Sequence, residues 1–142
     1  MKMIKPLIII LIISITVNFV GFTDFFKGFP PTYYKTILSI VFLAFWGILG
    51  VYMGLKNEKQ FFPFISGYIG LGLAACVIGH LLELLLPTIF FFSIYIGPLY
   101  GLTYYITADP SLLSIILSIL LVYGVSLLGF FLPNLFINLK KA

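Results

Sequence analysis

The chain alternates long uncharged apolar runs with short clusters that hold nearly all of its lysines, aspartates and glutamates. A bilayer core of about 30 Å takes about 20 helical residues, so each run can be measured against that length. The first, 7–22, follows Lys2, Lys5 and Pro6, a proline suited to a first helical turn, and is slightly short for a crossing. The second, 36–55, lies between Lys35 and Lys56. Between Lys59 and Asp109 the only polar ionisable residues are His80 and Glu83. One helix of that length would far exceed the membrane, so the pattern predicts two, 61–86 and 88–107, broken at Pro87 with Thr88 as the next cap. A last span, 111–132, is closed by Pro133 and Asn134, leaving 133–142 as an interfacial tail that ends in Lys140 and Lys141. The fold class expected is all-α: a polytopic integral membrane protein, one compact bundle of about five transmembrane helices over residues 1–142.

The first run has the lysines and apolar stretch of a signal peptide, but Phe19-Val20-Gly21-Phe22-Thr23-Asp24 offers no small-x-small cleavage site, so it reads as retained. Five spans divide the lysines evenly, with Lys2, Lys5, Lys56 and Lys59 on one side and Lys27, Lys35, Lys140 and Lys141 on the other. The positive-inside rule then gives no orientation. Four spans would place six lysines against two, the more natural asymmetry, and would make the Tyr95–Tyr105 segment, broken at Gly97-Pro98, re-entrant. Five remains the expectation because a re-entrant segment needs protein around it and the chain is small.

Composition narrows the class. Of 142 residues, 62% are hydrophobic and 8% charged, with a mean hydropathy of +1.22. Too little polar side chain is present to cover a water-facing surface, and disorder requires the opposite composition. One cysteine excludes a disulfide framework. The net charge of +4 rests on eight scattered lysines and no arginine, which is no nucleic-acid footprint. The partner that remains is the lipid bilayer, with a homodimer or a larger membrane complex as the protein partner the pattern admits. The bias to Lys, Ile, Phe and Tyr suggests a microbial plasma membrane.

In lipid, close helix association depends on small residues at the contact. Gly50 and Gly54 form a GxxxG pair, with Gly47 a turn earlier. The third span carries Ser66, Gly70 and Ala74 in one row and Gly72 and Cys76 in another, so it is expected at the centre of the bundle. In the fourth, Ser93, Gly97 and Gly101 align. Bundle packing is the ordinary use of such rows; a dimer seam or a glycine-lined passage is the functional one. Tyr33, Tyr34, Phe61, Phe62, Tyr104 and Tyr105 fall near span ends, as interfacial rings prefer, whereas Trp46 falls in mid-span and is expected to fill space.

His80 and Glu83 are the candidate chemistry. Three positions apart, about 60° around a helix, they share a face, with Cys76 one turn earlier. Ionisable groups at bilayer depth commonly mark proton or substrate paths. Depth decides their meaning: a helix entering at Phe61 puts His80 at the far interface, and one entering near Gly67 buries the pair. One histidine, one carboxylate and one thiol are too few for a metal site, and a haem would require two copies of His80 across a dimer; no cofactor or metal is expected. Asp109-Pro110 reads as a helix start, and Asn18, four residues after Ser14, as a residue able to hydrogen-bond across helices as packing glue. Asp24, Lys27, Pro30 and Pro31 read as an aromatic-rich surface loop. No nucleotide-binding glycine loop, HExxH helix or serine–histidine nucleophile occurs. The expected role is therefore a small non-catalytic accessory, assembly or protective subunit acting through helix–helix contacts, with transport of protons or a small solute past His80 and Glu83 as the alternative.

Overall fold

The computed structural model describes residues 4–82, 94–95, 97–107 and 112–139, which are helical apart from the turns at 28–32 and 56–60 and residue 82, and contain no strand. In chain order they form α1 (Ile4–Lys27), α2 (Tyr33–Leu55), α3 (Phe61–Leu81), a 3₁₀ turn (Gly97–Leu99), α4 (Tyr100–Thr107) and α5 (Leu112–Leu139). Three of them, over Tyr33–Leu55, Phe61–Gly79 and Leu113–Pro133, are long and apolar enough to cross a membrane, which is consistent with a multi-pass membrane protein.

Local chemistry sets the helix ends. Gly28, with φ 64°, ends α1 in the left-handed conformation, and the Phe29 amide donates back to the Asp24 carbonyl at 3.0 Å. Asn57, with φ 50°, does the same after α2: its amide donates to Gly54 and that of Glu58 to Met53, at 3.0 and 3.1 Å. α3 then begins at Phe61, whose amide donates to the Glu58 carbonyl at 2.9 Å.

Two ends differ from the sequence expectation. α1 runs on past residue 22, so Asp24 and Lys27 are helical and not in a surface loop. Asp24 is ion-paired with Lys35 in the first turn of α2, which neutralises the charges that appeared to end the helix. α5 continues through Pro133 to Leu139, so most of the expected tail is helix. Proline removes one hydrogen bond, to the carbonyl four residues back, but leaves the rest of the ladder intact.

The central pair is α2 and α5, not α3. A Cβ at Gly50 would press into the Ser126 carbonyl, one at Gly54 into the Phe130 carbonyl, and one at Gly129 into the Gly47 carbonyl. Backbone meets backbone there, which only glycine permits. Of the first row expected to make α3 central, Gly70 and Ala74 face outward with Gly67 beside them, a Cβ at either glycine meeting nothing within 4 Å, while Ser66 is half-buried against Tyr123. The opposite face of α3, with Ile65, Ile69, Gly72 and Cys76, is buried.

Helix direction follows from these contacts. Gly47, Gly50 and Gly54 meet Val125, Ser126 and Phe130 in ascending order, so α2 and α5 are parallel. Phe61 stacks on Phe130 at 5.3 Å between ring centroids, and Ser66 hydrogen-bonds Tyr123 at 3.1 Å, so α3 runs antiparallel to α5 and heads for the end where α5 begins. Gly101 packs on Lys35, Pro98 lies beside Leu38 and Ser39, and Tyr95 lies beside Phe42 and Trp46. The described stretch from Ile94 to Thr107 therefore leads from the depth of Trp46 out to the same end that α3 approaches.

Candidate functional site

In a chain this apolar, functional groups stand out as polar atoms inside the bundle. Most buried hydroxyls here are satisfied within their own helix. Ser39 donates to Lys35, Thr103 to Leu99, Ser118 to Ser114 and Ser126 to Val122, each to a carbonyl four residues back at 2.6–3.2 Å. That arrangement makes a serine or threonine tolerable in lipid.

One region breaks the pattern. Ser14 of α1, Trp46 of α2, Tyr68 of α3 and Tyr95 converge near the middle of these helices. The Trp46 and Tyr68 rings lie 5.6 Å apart, and Tyr68 and Tyr95 4.8 Å apart, between centroids. Tyr68 and Tyr95 thus place two hydroxyl-bearing rings side by side. Ser14 approaches the Tyr68 hydroxyl without closing a hydrogen bond of ordinary geometry. Ser14 is 0% and Trp46 1% exposed, and among the described residues Ser14 Oγ and Trp46 Nε1 are buried polar atoms with no hydrogen-bond partner. Leaving such a group unpaired costs about 1–3 kcal/mol.

The node depends on close approach elsewhere. Gly72 makes room for the Tyr95 ring, which would overlap a Cβ at that position. Trp46 packs edge-on against Phe42 at 6.5 Å, and Phe64 stacks on Tyr68 at 6.3 Å. A cavity of about 10 Å³ remains between Phe42, Trp46, Tyr68, Ile69, Ile94, Tyr95, Ile119 and Val122.

The residues singled out by the sequence are distributed differently. His80 belongs to α3 one residue before its end. Because that helix starts at Phe61, His80 lies nineteen residues on, about 29 Å at 1.5 Å per residue, at the far end of a bilayer-length helix. Glu83 lies outside the described residues, as do Pro87, Thr88, Ser93, Asp109, Pro110 and the lysines of the tail. Cys76 is buried on the core face of α3. Gly50 and Gly54 face α5; Gly101 faces the Lys35 carbonyl and the Ser39 hydroxyl; Gly97 is buried at the 3₁₀ turn; and Gly70 is exposed. Among the described residues no group of three or more His, Cys, Asp or Glu side chains comes together as metal ligands.

A second polar contact lies nearer one end. The Lys35 ammonium pairs with Asp24, the two side chains only 18% and 15% exposed, and the Tyr100 hydroxyl donates to the Phe29 carbonyl at 3.0 Å. These join the end of α1, the α1–α2 turn and α4. On the outer surface, Tyr33, Tyr34 and Tyr105 are exposed, whereas Phe61 is fully buried by its stack on Phe130. An apolar groove of about 400 Å³ runs along the outside of the α2–α5 seam between Ala44, Ile48, Val51, Val125, Leu128 and Leu132.

Sequence reasoning missed the node because its members lie on different helices. The available signal was Trp46, a polar-tipped ring in mid-span where such rings are unusual. No family model, curated protein or solved structure matches the chain.

Proposed function

We propose that the protein is a non-catalytic accessory or assembly subunit of a microbial plasma membrane, binding a partner helix through the outer face of α3. The observation that carries this reading is the unused small-residue row. Gly47, Gly50, Gly54 and Gly129 are consumed within the chain, while Gly67, Gly70 and Ala74 form an equivalent surface that faces outward. In lipid such a surface favours a second helix because backbones can approach closely, and a second copy or another membrane protein would satisfy it equally.

The same reading includes a topology of four crossings, by α1, α2, α3 and α5, in place of the five expected. What supports it is the parallel course of α2 and α5 and the antiparallel course of α3. If α3 and α5 meet at one side of the membrane, the residues between them enter and leave on that side. Both termini then share a side with the α2–α3 turn. Lys2, Lys5, Lys56, Lys59, Lys140 and Lys141 fall there, against Lys27 and Lys35 opposite, and the positive-inside rule makes the six-lysine side cytoplasmic.

Transport is the second reading, favoured by the hydroxyl groups that Tyr68 and Tyr95 bring together inside the bundle. Against it, the cavity at that node is about 10 Å³, and the seam on the far side of it is closed backbone to backbone.

One pair of experiments separates the two. In a Cys76→Ser background, Gly70→Cys should cross-link to a partner in native membranes, while Ile40→Cys, on the exposed face of α2, should not. Purified protein in liposomes should show no proton or solute flux. Flux lost in His80→Ala, Glu83→Gln or Tyr68→Phe would overturn the accessory reading in favour of transport.

A further inference from the structure

We propose that the cavity walled by Trp46, Tyr68 and Tyr95 is a binding site for one ordered water molecule at the middle of the bundle. Three observations converge on it. The space, about 10 Å³, is the size that admits a single water and nothing larger. Trp46, whose Nε1 is buried without a partner, lines it together with two tyrosines. Ser14, the other buried polar atom without a partner, lies next to Tyr68.

A cavity lined only by Phe42, Ile69, Ile94, Ile119 and Val122 would stay dry, because a water there would lose hydrogen bonds it makes in bulk. Here the indole N–H can donate to the water oxygen, and the water can donate to the tyrosine oxygens. Lipid offers no alternative: acyl chains neither accept from an indole N–H nor donate to a hydroxyl. Nor can the indole help itself, since a tryptophan has no equivalent of the hydroxyl bond to the carbonyl four residues back that satisfies Ser39, Ser118 and Ser126. The water completes a polar junction among α2, α3 and the Tyr95 segment. The site is independent of which partner or solute the protein serves.

Trp46 is the sole tryptophan of the chain, so its indole reports on this site alone. The protein would be labelled with ¹⁵N-tryptophan, reconstituted in lipid nanodiscs, and examined by resonance Raman for the strength of the indole hydrogen bond and by NMR for magnetisation transfer from water to the indole proton. The expected result is a hydrogen-bonded indole with direct transfer from a long-lived water, both diminished when Tyr68 and Tyr95 are replaced together by phenylalanine. An indole that reads as free would overturn the proposal. So would a hydrogen-bonded indole with no transfer from water, which would mean that a protein hydroxyl has taken the water's place. The wild-type measurement decides between these outcomes whether or not the double variant folds.

Discussion

Gly50 lies so close to the Ser126 carbonyl oxygen that no side chain, not even a methyl, fits between them. The partner atom is backbone and cannot swing aside, so an added methyl must push α2 and α5 apart along the seam that organises the bundle. Overpacking of this kind costs about 1–3 kcal/mol. Gly50→Ala and Gly54→Ala are expected to lose that much stability when unfolding is followed by denaturing-detergent titration. Gly70→Ala, on the open face, is expected to lose none and to gain up to about 1 kcal/mol from the better helix former. Equal losses at all three positions would show that the seam is not where the glycines matter.

Gly72 and Tyr95 make a second such contact, this time against a rigid aromatic ring. Gly72→Ala is expected to displace Tyr95 and thereby disturb Trp46 through Tyr68, read as a shift in tryptophan emission. Tyr95→Phe keeps the ring and removes only the hydroxyl, and is expected to cost about 0.6–1 kcal/mol, the usual worth of a hydrogen bond between helices in a membrane. The two variants thus separate a packing effect from a polar one at the same place.

The Asp24–Lys35 pair ties the last turns of α1 to the first turn of α2 and is largely shielded from solvent. Asp24→Asn leaves a shielded ammonium without its counter-charge and is expected to cost roughly 2 kcal/mol, in the range for hydrogen bonds to charged groups. Adding Lys35→Met should recover most of the loss, because the orphaned charge is then gone as well. If the double variant is no better than the single one, the pair does not act as a unit.

The material for crossing a membrane was legible in the spacing of charge: α2 and α3 begin or end within a few residues of Lys35, Lys56 and Lys59. The glycine pattern at 47, 50 and 54 was legible as a close-packing face. What could not be read is which face meets which. Gly70 and Gly50 sit in similar apolar settings, and only the presence of Gly129 and Ser126 on a distant helix distinguishes them. Asp24 looked like the start of a loop because its neutralising partner, Lys35, lies on the next helix. Pro133 looked like a stop because proline usually is one, yet it lies inside α5. Apolar length sets how many helices can span, but their direction rests on contacts such as Phe61 with Phe130.

That direction is what the proposed topology stands on, and sidedness labelling tests it. In a Cys76→Ser background, single cysteines would be placed at Asn57 in the α2–α3 turn, at Thr32 in the α1–α2 turn and at the terminal Ala142, and probed in sealed vesicles with a membrane-impermeant maleimide. Four crossings put Asn57 and Ala142 on one side and Thr32 on the other. Labelling of Ala142 together with Thr32, and opposite to Asn57, would contradict the topology and return the segment after α3 to a full crossing.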